Sequence, residues 1–370
     1  MKLMFVISHK PDIRYIKRLD VVSNTYDTTV VFWNKDIKDV KIDYPHVNFK
    51  EIKVPANKTN PLKRIPELFV FLNKAYKFIS DNKPDCLYVG NLDMLYIAVK
   101  YKKKHSNVKI IYEIADLHRL IIDKQSNPVK GIIKNILKLE EKKLSKYIDI
   151  LVLTSMKFYD IYYKRLVPKE KVVFIPNMPE EKSFDGFEKI EHNGFNVAFV
   201  GSIRYKKQLR LLIEASKYAN VNVIFAGSDG DGPEFENECK VYSNVSFRGE
   251  FNYKEEIQDI YSKIDCIYAV YDADMANVRV ALPNKLYESI VTEIPIIVAK
   301  NTYLSELVEQ MGIGYSVDHN DKSDLIRILN YIKDKGPDYQ KKILNCKREK
   351  ERQSIYEYNK KFLEKIGELR

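Results

Sequence analysis

The fold can be inferred from residues 196–207, which read NVAFVGSIRYKK. The apolar run before Gly201 is typical of a buried strand, and residues 207–217 have the apolar spacing of a helix. A glycine at a strand end lets a ligand approach the backbone closely, and the helix N-terminus that follows favours an anion. The stretch therefore predicts a strand–turn–helix unit that holds a phosphate, with Arg204 and Lys207 placed to neutralise its charge. The alternative is that both are surface cations at a helix start.

Short apolar strands alternate with helical stretches along the whole chain. In the first half, strands are predicted at residues 3–7, 28–33, 47–52, 86–89, 108–113, 148–154 and 172–175. In the second half, they are predicted at residues 196–200, 221–225, 245–248, 266–270, 296–299 and 314–317. This rhythm indicates βαβ units and parallel sheets.

The chain length of 370 residues exceeds the usual size of a single core, so two domains are expected. The predicted fold class is α/β, with two Rossmann-like domains that face each other across a cleft. We expect residues 1–178 to form the first domain, 179–194 a linker, 195–345 the second domain, and 346–370 a C-terminal helix that packs back onto the first domain. Open α/β sheets bind ligands at the carboxyl ends of their strands, so the cleft is the expected ligand site.

The composition excludes several classes of protein. Hydrophobic residues make up 45% and charged residues 31% of the chain, which excludes a disordered protein. The sequence has no apolar run of about 18 residues, as a membrane-spanning helix requires, and its first residues lack the features of a signal peptide. The four cysteines have no C-x-x-C spacing and do not cluster with histidines. We therefore expect reduced thiols, no zinc site and a cytoplasmic protein.

The net charge of +11 is concentrated in the first half of the chain. Residues 1–180 contain 34 Lys and Arg against 20 Asp and Glu, whereas the remainder is slightly acidic. This imbalance indicates an anionic partner such as a membrane surface or a lipid phosphate; the alternative is a set of solvated lysines. Nucleic acid is not expected, because the chain has no basic-aromatic repeat or known nucleic-acid module. Residues 132–146 have the apolar face and basic residues of a helix on an anionic inner membrane leaflet, and an ordinary domain helix can have the same pattern.

A second candidate segment is residues 282–288, which read LPNKLYE. A proline suits the start of a helix, and the backbone N–H groups of Asn284, Lys285 and Leu286 could then face a phosphate. Glu288 lies about one turn into this helix, where a carboxylate could accept hydrogen bonds from both hydroxyls of a ribose. The alternative for Glu288 is a solvated helix carboxylate.

The second half resembles retaining glycosyltransferases of the GT-B fold, in family four of the sequence classification. The resemblance is carried by Gly201 followed by Lys207, the glycine turn at 225–233, NVSFRG at 244–249, PNKLYE at 283–288 and the strand at 295–299. In the first half, residues 8–12 take the place of the glycine-rich loop that many relatives have after their first strand.

The resemblance implies a role for each matching residue. Lys207 corresponds to the lysine that binds the donor diphosphate, and Arg204 stands in for the arginine that the family usually has at the place of Ser202. Glu288 corresponds to the acid that holds the ribose, whereas the family's other acid, near the transferred sugar, would fall at Val280. The full predicted donor-binding set is Gly201, Ser202, Arg204, Lys207, Gly227, Phe251, Asn284, Lys285, Leu286 and Glu288.

The predicted strand end at residues 116–118 is similar to the histidine-containing strand end that approaches the transferred sugar in this family. The alternative is that His118 caps the strand or the next helix. The predicted catalytic residues are Asp116, His118, Arg204 and Lys207.

No metal and no cofactor are expected. Asp272 and Asp274 resemble a metal-binding pair, but they lie in a loop where GT-B enzymes need no metal. Residues 227–232 read GSDGDG, which differs from the GxGxxG pattern of a dinucleotide-binding oxidoreductase.

The resemblance implies transfer of a hexosyl or N-acetylhexosaminyl group from a nucleoside diphosphate sugar, with UDP as the default nucleotide and retention of the anomeric configuration. The expected acceptor is a lipid-linked or other glycan held by the first domain. The expected pathway is surface-polysaccharide biosynthesis, such as that of a capsule or exopolysaccharide, at the cytoplasmic face of the membrane. The alternative is a non-catalytic partner or sensor subunit that binds nucleotide sugars, because the acid at Val280 is missing.

Overall fold

The computed structural model describes residues 1–37, 42, 44–57, 62–118, 122, 127–230 and 233–369. The chain forms two compact units: the first contains Met1–Pro176 and Tyr356–Arg370, and the second contains Asn177–Ile355. Among the described residues, no helix has both the length and the apolar composition that crossing a membrane requires.

A seven-stranded parallel sheet forms the centre of the first unit, in the order β3-β2-β1-β4-β5-β6-β7. Its strands are β1 Lys2–Ile7, β2 Asp27–Asn34, β3 Val47–Lys53, β4 Cys86–Val89, β5 Lys109–Ile114, β6 Ile150–Leu153 and β7 Val172–Phe174. Its helices are α1 Ile13–Val22, α2 Ile65–Asn82, α3 Leu92–Lys102, α4 Pro128–Ser145, α5 Met156–Ile161 and the C-terminal helix α14 Ile355–Gly367. The central strands are apolar and buried, as in a parallel sheet that helices cover on both faces.

The C-terminal helix completes the apolar core of the first unit. Phe5 of β1 stacks on Tyr88 of β4, with ring centroids 4.3 Å apart. Phe362 of α14 packs edge-on against the same tyrosine ring at 6.3 Å. Phe362 and Ile366 are fully buried, so α14 contributes apolar burial to this core and not to that of the second unit.

A six-stranded parallel sheet forms the centre of the second unit, in the order β10-β9-β8-β11-β12-β13. Its strands are β8 Asn196–Val200, β9 Asn222–Ala226, β10 Val245–Gly249, β11 Cys266–Ala269, β12 Ile296–Ala299 and β13 Gly314–Val317. Its helices are α6 Lys206–Ala219, α7 Glu234–Cys239, α8 Tyr253–Ser262, α9 Ala276–Val280, α10 Asn284–Thr292, α11 Tyr303–Met311, α12 Lys322–Ile332 and α13 Pro337–Arg352. The prediction of an α/β protein with two Rossmann-like domains is confirmed.

The C-terminal segment differs from the prediction of one returning helix over residues 346–370. Residues 346–352 are the end of α13, which belongs to the second unit, and only α14 packs in the first unit. The chain leaves the helix at Gln353, whose backbone is extended, before α14 begins. Both helices are charged and strongly helical in composition, so their boundary has no strong sequence signal.

Residues 179–194 also differ from the prediction, because they pack on the second unit. The Ile190 N–H donates to the carbonyl of Ser262 at 3.0 Å. Lys189 Nζ and His192 Nε2 lie 3.3 Å and 3.4 Å from the buried carboxylate of Asp265. Burial alone would raise the pKa of Asp265, but its hydrogen bond with Lys335 and the nearby ammonium of Lys189 lower it. These ion pairs with the buried Asp265 hold the segment against the second unit.

The strand order of each sheet reverses at one point. The reversal lies between β1 and β4 in the first unit, and between β8 and β11 in the second. On the two sides of this point, the connections that follow the strands run in opposite directions. The loops at the strand ends therefore diverge and open a crevice, which is where such sheets bind ligands. We call these two places the first and second switch points.

Candidate active site

The second switch point is bordered by a row of three glycines, which follow or end β8, β9 and β10. The Gly201 N–H donates to the carbonyl of Ala226 at 2.7 Å, and the Gly227 N–H donates to the carbonyl of Gly249 at 2.8 Å. Gly201 and Gly227 have φ angles of 137° and 145°, and a Cβ added at Gly227 would overlap the carbonyl of Gly201. Only glycine fits these two positions, so neither residue has a side chain that covers the strand ends.

Arg204 and Lys207 lie at the start of α6, in the segment that leaves this glycine row. Both side chains are exposed, and neither makes an ion pair or hydrogen bond with another described residue. The adjacent Lys206 differs, since its Nζ lies 3.1 Å from Asp229. Arg204 and Lys207 are therefore exposed and without a described protein partner, and their role in binding an anionic ligand stays a prediction.

Lys285 has a more central position than the sequence analysis gave it. Its ammonium lies 2.9 Å from where a Cβ would stand on Gly201, and 4.9 Å from the ring centroid of Phe199 in β8. The residue is 8% exposed and makes no hydrogen bond or ion pair with another described residue. Burial lowers the pKa of Lys285, and the negative charge of Glu288 opposes that shift. A buried lysine without an ion-pair partner among the described residues thus lies at the glycine row.

The sequence analysis assigned only the backbone N–H of Lys285 to the site. A signal for its side chain was nonetheless present, because a lysine in the first turn of a helix opposes the helix dipole. Glu288 follows three residues later, and this spacing places both side chains on the same face of α10. The contact of Lys285 with Gly201 joins segments that are far apart in the sequence.

Glu288 is held in place by two tyrosines of α8. It is 3% exposed; Oε1 accepts a hydrogen bond from Tyr253 at 3.0 Å, and Oε2 accepts one from Tyr261 at 2.5 Å. Burial, followed by the charge of Glu288, raises the pKa of both tyrosines. The alternative of a solvated helix carboxylate is therefore wrong. The sequence analysis missed both tyrosines, because their role depends on the packing of α8 beside α10.

The other predicted donor-binding residues have varied surroundings. Ser202 and Asn284 are exposed, and Phe251 is half-buried in the loop between β10 and α8. The backbone N–H of Leu286, predicted to face a phosphate, instead donates to the carbonyl of Pro283 at 3.2 Å. That N–H is used inside the first turn of α10, which corrects this part of the prediction. Val280, at the place of the family's other acid, ends α9 and is largely buried.

The loops after β11 and β13 bring a histidine to the predicted acid pair. His319 Nε2 lies 3.4 Å from Asp272 Oδ1 and 3.5 Å from Asp274 Oδ2. Ligand atoms of the three side chains lie within 4.8 Å of one another, so they could hold a divalent cation. A protonated histidine forming ion pairs with both acids accounts for the same geometry. The expectation that no metal is needed stays a prediction.

The predicted catalytic pair of the first half lies after β5, at the carboxyl edge of the first sheet. Asp116 and His118 are exposed, and Leu117 between them is buried. The structure thus places each residue in a strand-end loop of the first unit, and their catalytic role stays a prediction. Gly232, in the predicted glycine turn, lies outside the described residues.

Within the second unit, the structure therefore brings Gly201, Gly227, Lys285 and Glu288 to the end of the sheet at which its strands have their carboxyl termini. Residues 180–361, which contain all ten predicted donor-binding residues, match the sequence model of the family described as glycosyl transferases group 1. A comparison with curated protein sequences found no matching relative.

Solved structures share the fold over nearly the whole chain. Sucrose-phosphate synthase from Thermosynechococcus elongatus has a TM-score of 0.77 at 14% identity, covering 100% of this chain and 99% of that one. HepE from Anabaena in complex with UDP has a TM-score of 0.69 at 14% identity, covering 100% of both chains. WaaG, a glycosyltransferase involved in lipopolysaccharide biosynthesis, has a TM-score of 0.67 at 15% identity, covering 98% of both chains.

At these identities the structural likeness shows the fold, whereas the family match concerns the sequence itself. The fold is GT-B, and the chain is a glycosyltransferase, of which residues 180–361 match the model of glycosyl transferases group 1.

Proposed function

We propose that this enzyme transfers a hexosyl or N-acetylhexosaminyl group from a UDP-sugar to a hydroxyl of a lipid-linked or other glycan, with retention, as a member of family four. The observation that carries the donor part is the buried ammonium of Lys285 beside Gly201. A buried charge is unfavourable unless it is paired, so this position indicates an anionic ligand.

A nucleoside diphosphate fits the second switch point through its pyrophosphate. Phosphate oxygens can approach the bare backbone of Gly201 and Gly227, where Lys285 supplies a desolvated positive charge. Arg204 and Lys207 add exposed cations at the start of α6. During transfer, negative charge grows on the leaving diphosphate, and these preorganised cations stabilise it.

Glu288 is positioned to bind the ribose of the same nucleotide. Its two oxygens already accept hydrogen bonds from Tyr253 and Tyr261, and each carboxylate oxygen can accept a second one. The tyrosines fix the orientation of the carboxylate before the ligand arrives, which lowers the entropy lost on binding. The choice of UDP is supported by the UDP complex of the similar protein HepE.

The mechanism assigned here needs no covalent intermediate on the enzyme. As the bond between the sugar and the diphosphate breaks, its electron pair leaves with the diphosphate. The acceptor oxygen bonds to the anomeric carbon, and the proton of the acceptor hydroxyl passes to the leaving diphosphate. Retention and family four rest on the sequence resemblance, from which Val280 departs. Asp116 and His118 are proposed to act near the transferred sugar, on the same basis.

A thermal-shift experiment with UDP, GDP and ADP tests the donor assignment. We expect UDP to raise the melting temperature most, and Glu288→Gln to remove much of this shift. Lys217→Ala is the matched control, because Lys217 is an exposed lysine in the last turn of α6, far from its start. An absence of any nucleotide-dependent shift in the wild-type protein would reject the donor proposal.

We also propose that the first unit makes peripheral contact with an anionic membrane, which would present a lipid-linked acceptor. Helix α4 exposes an apolar stripe: Val129, Ile132, Ile136 and Leu139 are each more than half exposed. Residues 130, 134, 138, 142 and 143 of this helix are lysines. An apolar stripe flanked by lysines binds anionic bilayers through combined burial and charge attraction.

Helix α2 of the same unit also exposes apolar side chains, namely Ile65, Phe69 and Val70. Flotation with vesicles that contain anionic lipid tests the contact. We expect the wild-type protein to float and Ile132→Ser/Ile136→Ser to float at least about tenfold less, since each isoleucine contributes roughly 1 kcal/mol or more of apolar burial. Val241→Ser, which changes an exposed valine of the second unit, is the control. Equal flotation of all three proteins would reject the membrane proposal.

A further inference from the structure

The second unit has a pocket of about 610 Å³ that is separate from the candidate active site. Its walls are residues 189–193, Asp265 and Lys335. Asp265 directly precedes β11, so the pocket lies where the strands of the sheet begin, whereas the glycine row lies where they end. Pockets of this volume commonly hold small molecules. The pocket is therefore a second place in this unit at which a ligand fits.

The carboxylate of Asp265 organises the polar side chains of this pocket. It is 1% exposed, and its Oδ2 accepts a hydrogen bond from the Asn196 N–H at 2.8 Å and lies 3.4 Å from His192 Nε2. Its Oδ1 lies 2.8 Å from Lys335 Nζ and 3.3 Å from Lys189 Nζ. An ionised carboxylate offers about four acceptor positions. Asp265 thus orients both lysines and the histidine, and its own capacity is filled.

The two lysines of the pocket share this one carboxylate. Neither Lys189 nor Lys335 makes an ion pair with another described residue, so their combined charge exceeds that of Asp265. An ammonium has more N–H donors than the one directed at Asp265 occupies. Partial burial lowers the pKa of Lys189, and the negative charge of Asp265 opposes that shift. The unused donors and the excess positive charge indicate an anionic ligand.

His192 and Glu191 add one favourable and one unfavourable group. His192 Nδ1 is buried and has no hydrogen-bond partner in the part of the chain that the structure describes. Unsatisfied buried polar atoms are rare, because each loses its hydrogen bonds to water without replacement. Glu191 also lines the pocket, is exposed, and makes no ion pair with a described residue. Its negative charge therefore weakens the attraction of the pocket for an anion.

We propose that this pocket binds a phosphate group, with Lys189 and Lys335 as its cationic donors and His192 as a further donor. Ammonium groups bind phosphate oxygens through charge-assisted hydrogen bonds. The volume also admits a small organic group on the phosphate. Lys189 and His192 belong to the segment 179–194, and Lys335 follows α12, so the bound anion joins these two segments. This site is independent of the proposed donor and acceptor sites.

Isothermal titration of the full-length protein with inorganic phosphate and with glucose 6-phosphate, at one low ionic strength, tests the pocket. We expect the affinity to fall roughly tenfold in Lys189→Gln and in Lys335→Gln, since each variant loses a charge-assisted hydrogen bond. Glu191→Gln should bind about threefold more tightly, because it removes the opposing charge. Lys217→Gln is the matched control: Lys217 is an exposed lysine of the same unit that does not line the pocket.

Lys285→Met separates this pocket from the donor site, and it should leave phosphate binding by the pocket unchanged. Tighter binding of glucose 6-phosphate than of inorganic phosphate would identify a phosphomonoester as the ligand, whereas equal affinities would identify free phosphate. Lys189 and Glu191 are exposed, so their variants decide the test even where Lys335→Gln unfolds. The proposal is overturned if neither probe binds, if Lys189→Gln or Glu191→Gln binds as the wild-type protein does, or if only Lys285→Met loses binding.

Discussion

The two switch points have the same topology but different side chains. The second presents bare glycine backbone and cations without a protein anion, of which Lys285 is buried. The first has the Asn91 amide bonded to the Ser8 hydroxyl, the phenol of Tyr15 over the end of β4, and the Arg14 guanidinium over the Tyr15 ring. The pyrophosphate proposed for the second crevice would therefore be selected by its side chains and not by the fold, which both units share.

The difference also shows that net charge does not locate a phosphate site in this protein. The first half carries the basic excess, yet the anion site that we propose lies in the slightly acidic second half. Many of the lysines of the first unit lie on its outer helices, including α4. The positions of three cations, Arg204, Lys207 and Lys285, indicate an anion site better than a larger number of lysines spread over a surface.

The largest effect on stability should come from adding a side chain to a glycine of the row that follows or ends β8, β9 and β10. Gly227→Ala should lower the free energy of unfolding by about 3 kcal/mol or more, because the added Cβ overlaps the Gly201 carbonyl and the φ angle suits only glycine. Gly131→Ala in α4 is the matched change in the first unit, where a Cβ meets nothing within 4 Å. It should raise the free energy of unfolding by about 0.5–1 kcal/mol. Urea denaturation measures both, and similar effects at the two sites would contradict the packing described.

A smaller contrast is expected between two buried tyrosines. Tyr261→Phe removes a hydrogen bond to the buried carboxylate of Glu288 and should lower the free energy of unfolding by about 1.5–3 kcal/mol. Tyr15→Phe removes no protein hydrogen bond and should change it by less than about 0.5 kcal/mol. Chemical denaturation of the two variants provides the measurement. An equal loss in both would mean that the Tyr15 hydroxyl has a structural partner.

The smallest difference in the free energy of unfolding is expected between substitutions of two aspartates, and this difference depends on pH. Burial alone would raise the pKa of Asp324, but hydrogen bonds from Lys300 at 2.6 Å and Arg327 at 2.7 Å lower it from 3.8 to about 2. A lowered pKa stabilises the folded state above the unfolded value. Asp324→Asn should therefore lower the free energy of unfolding by about 1–2 kcal/mol at neutral pH, and this difference should disappear between pH 4 and about 2.

Asp93 should show the opposite sign, because its pKa is raised by burial. At neutral pH the ionised carboxylate destabilises the folded state, so Asp93→Asn should raise the free energy of unfolding by up to about 1 kcal/mol. The gain should fade as the pH drops below the raised pKa, where Asp93 is neutral in the folded state. Denaturation curves across this pH range test both aspartates. A destabilised Asp93→Asn at neutral pH would show that the carboxylate has a structural role.

The parallel sheets could be predicted because buried strands are continuous apolar runs, such as residues 196–200 and 266–269, between helical stretches. The glycines at strand ends and the acid Glu288 could be predicted because their chemistry is local. The break between α13 and α14 could not, since the sequence on both sides is equally charged and helical.

Two parts of the candidate site depend on contacts between distant segments. The ammonium of Lys285 lies beside Gly201 and the ring of Phe199, which are about 85 residues earlier in the sequence. The carboxylate of Glu288 is held by two tyrosines of α8. The convergence of Ser8 and Asn91 at the first switch point is likewise a product of strand order. Such contacts appear only when the sheet topology is known.

Isothermal titration of UDP into the wild-type protein, Lys285→Met and Lys217→Ala tests the role of the buried ammonium. We expect Lys285→Met to bind UDP about 100-fold more weakly, equivalent to roughly 3 kcal/mol, while Lys217→Ala binds as the wild-type protein does. Without nucleotide, Lys285→Met should melt at the same or a higher temperature, because it removes an unpaired buried charge. Unchanged UDP affinity in Lys285→Met would show that this ammonium does not bind the donor.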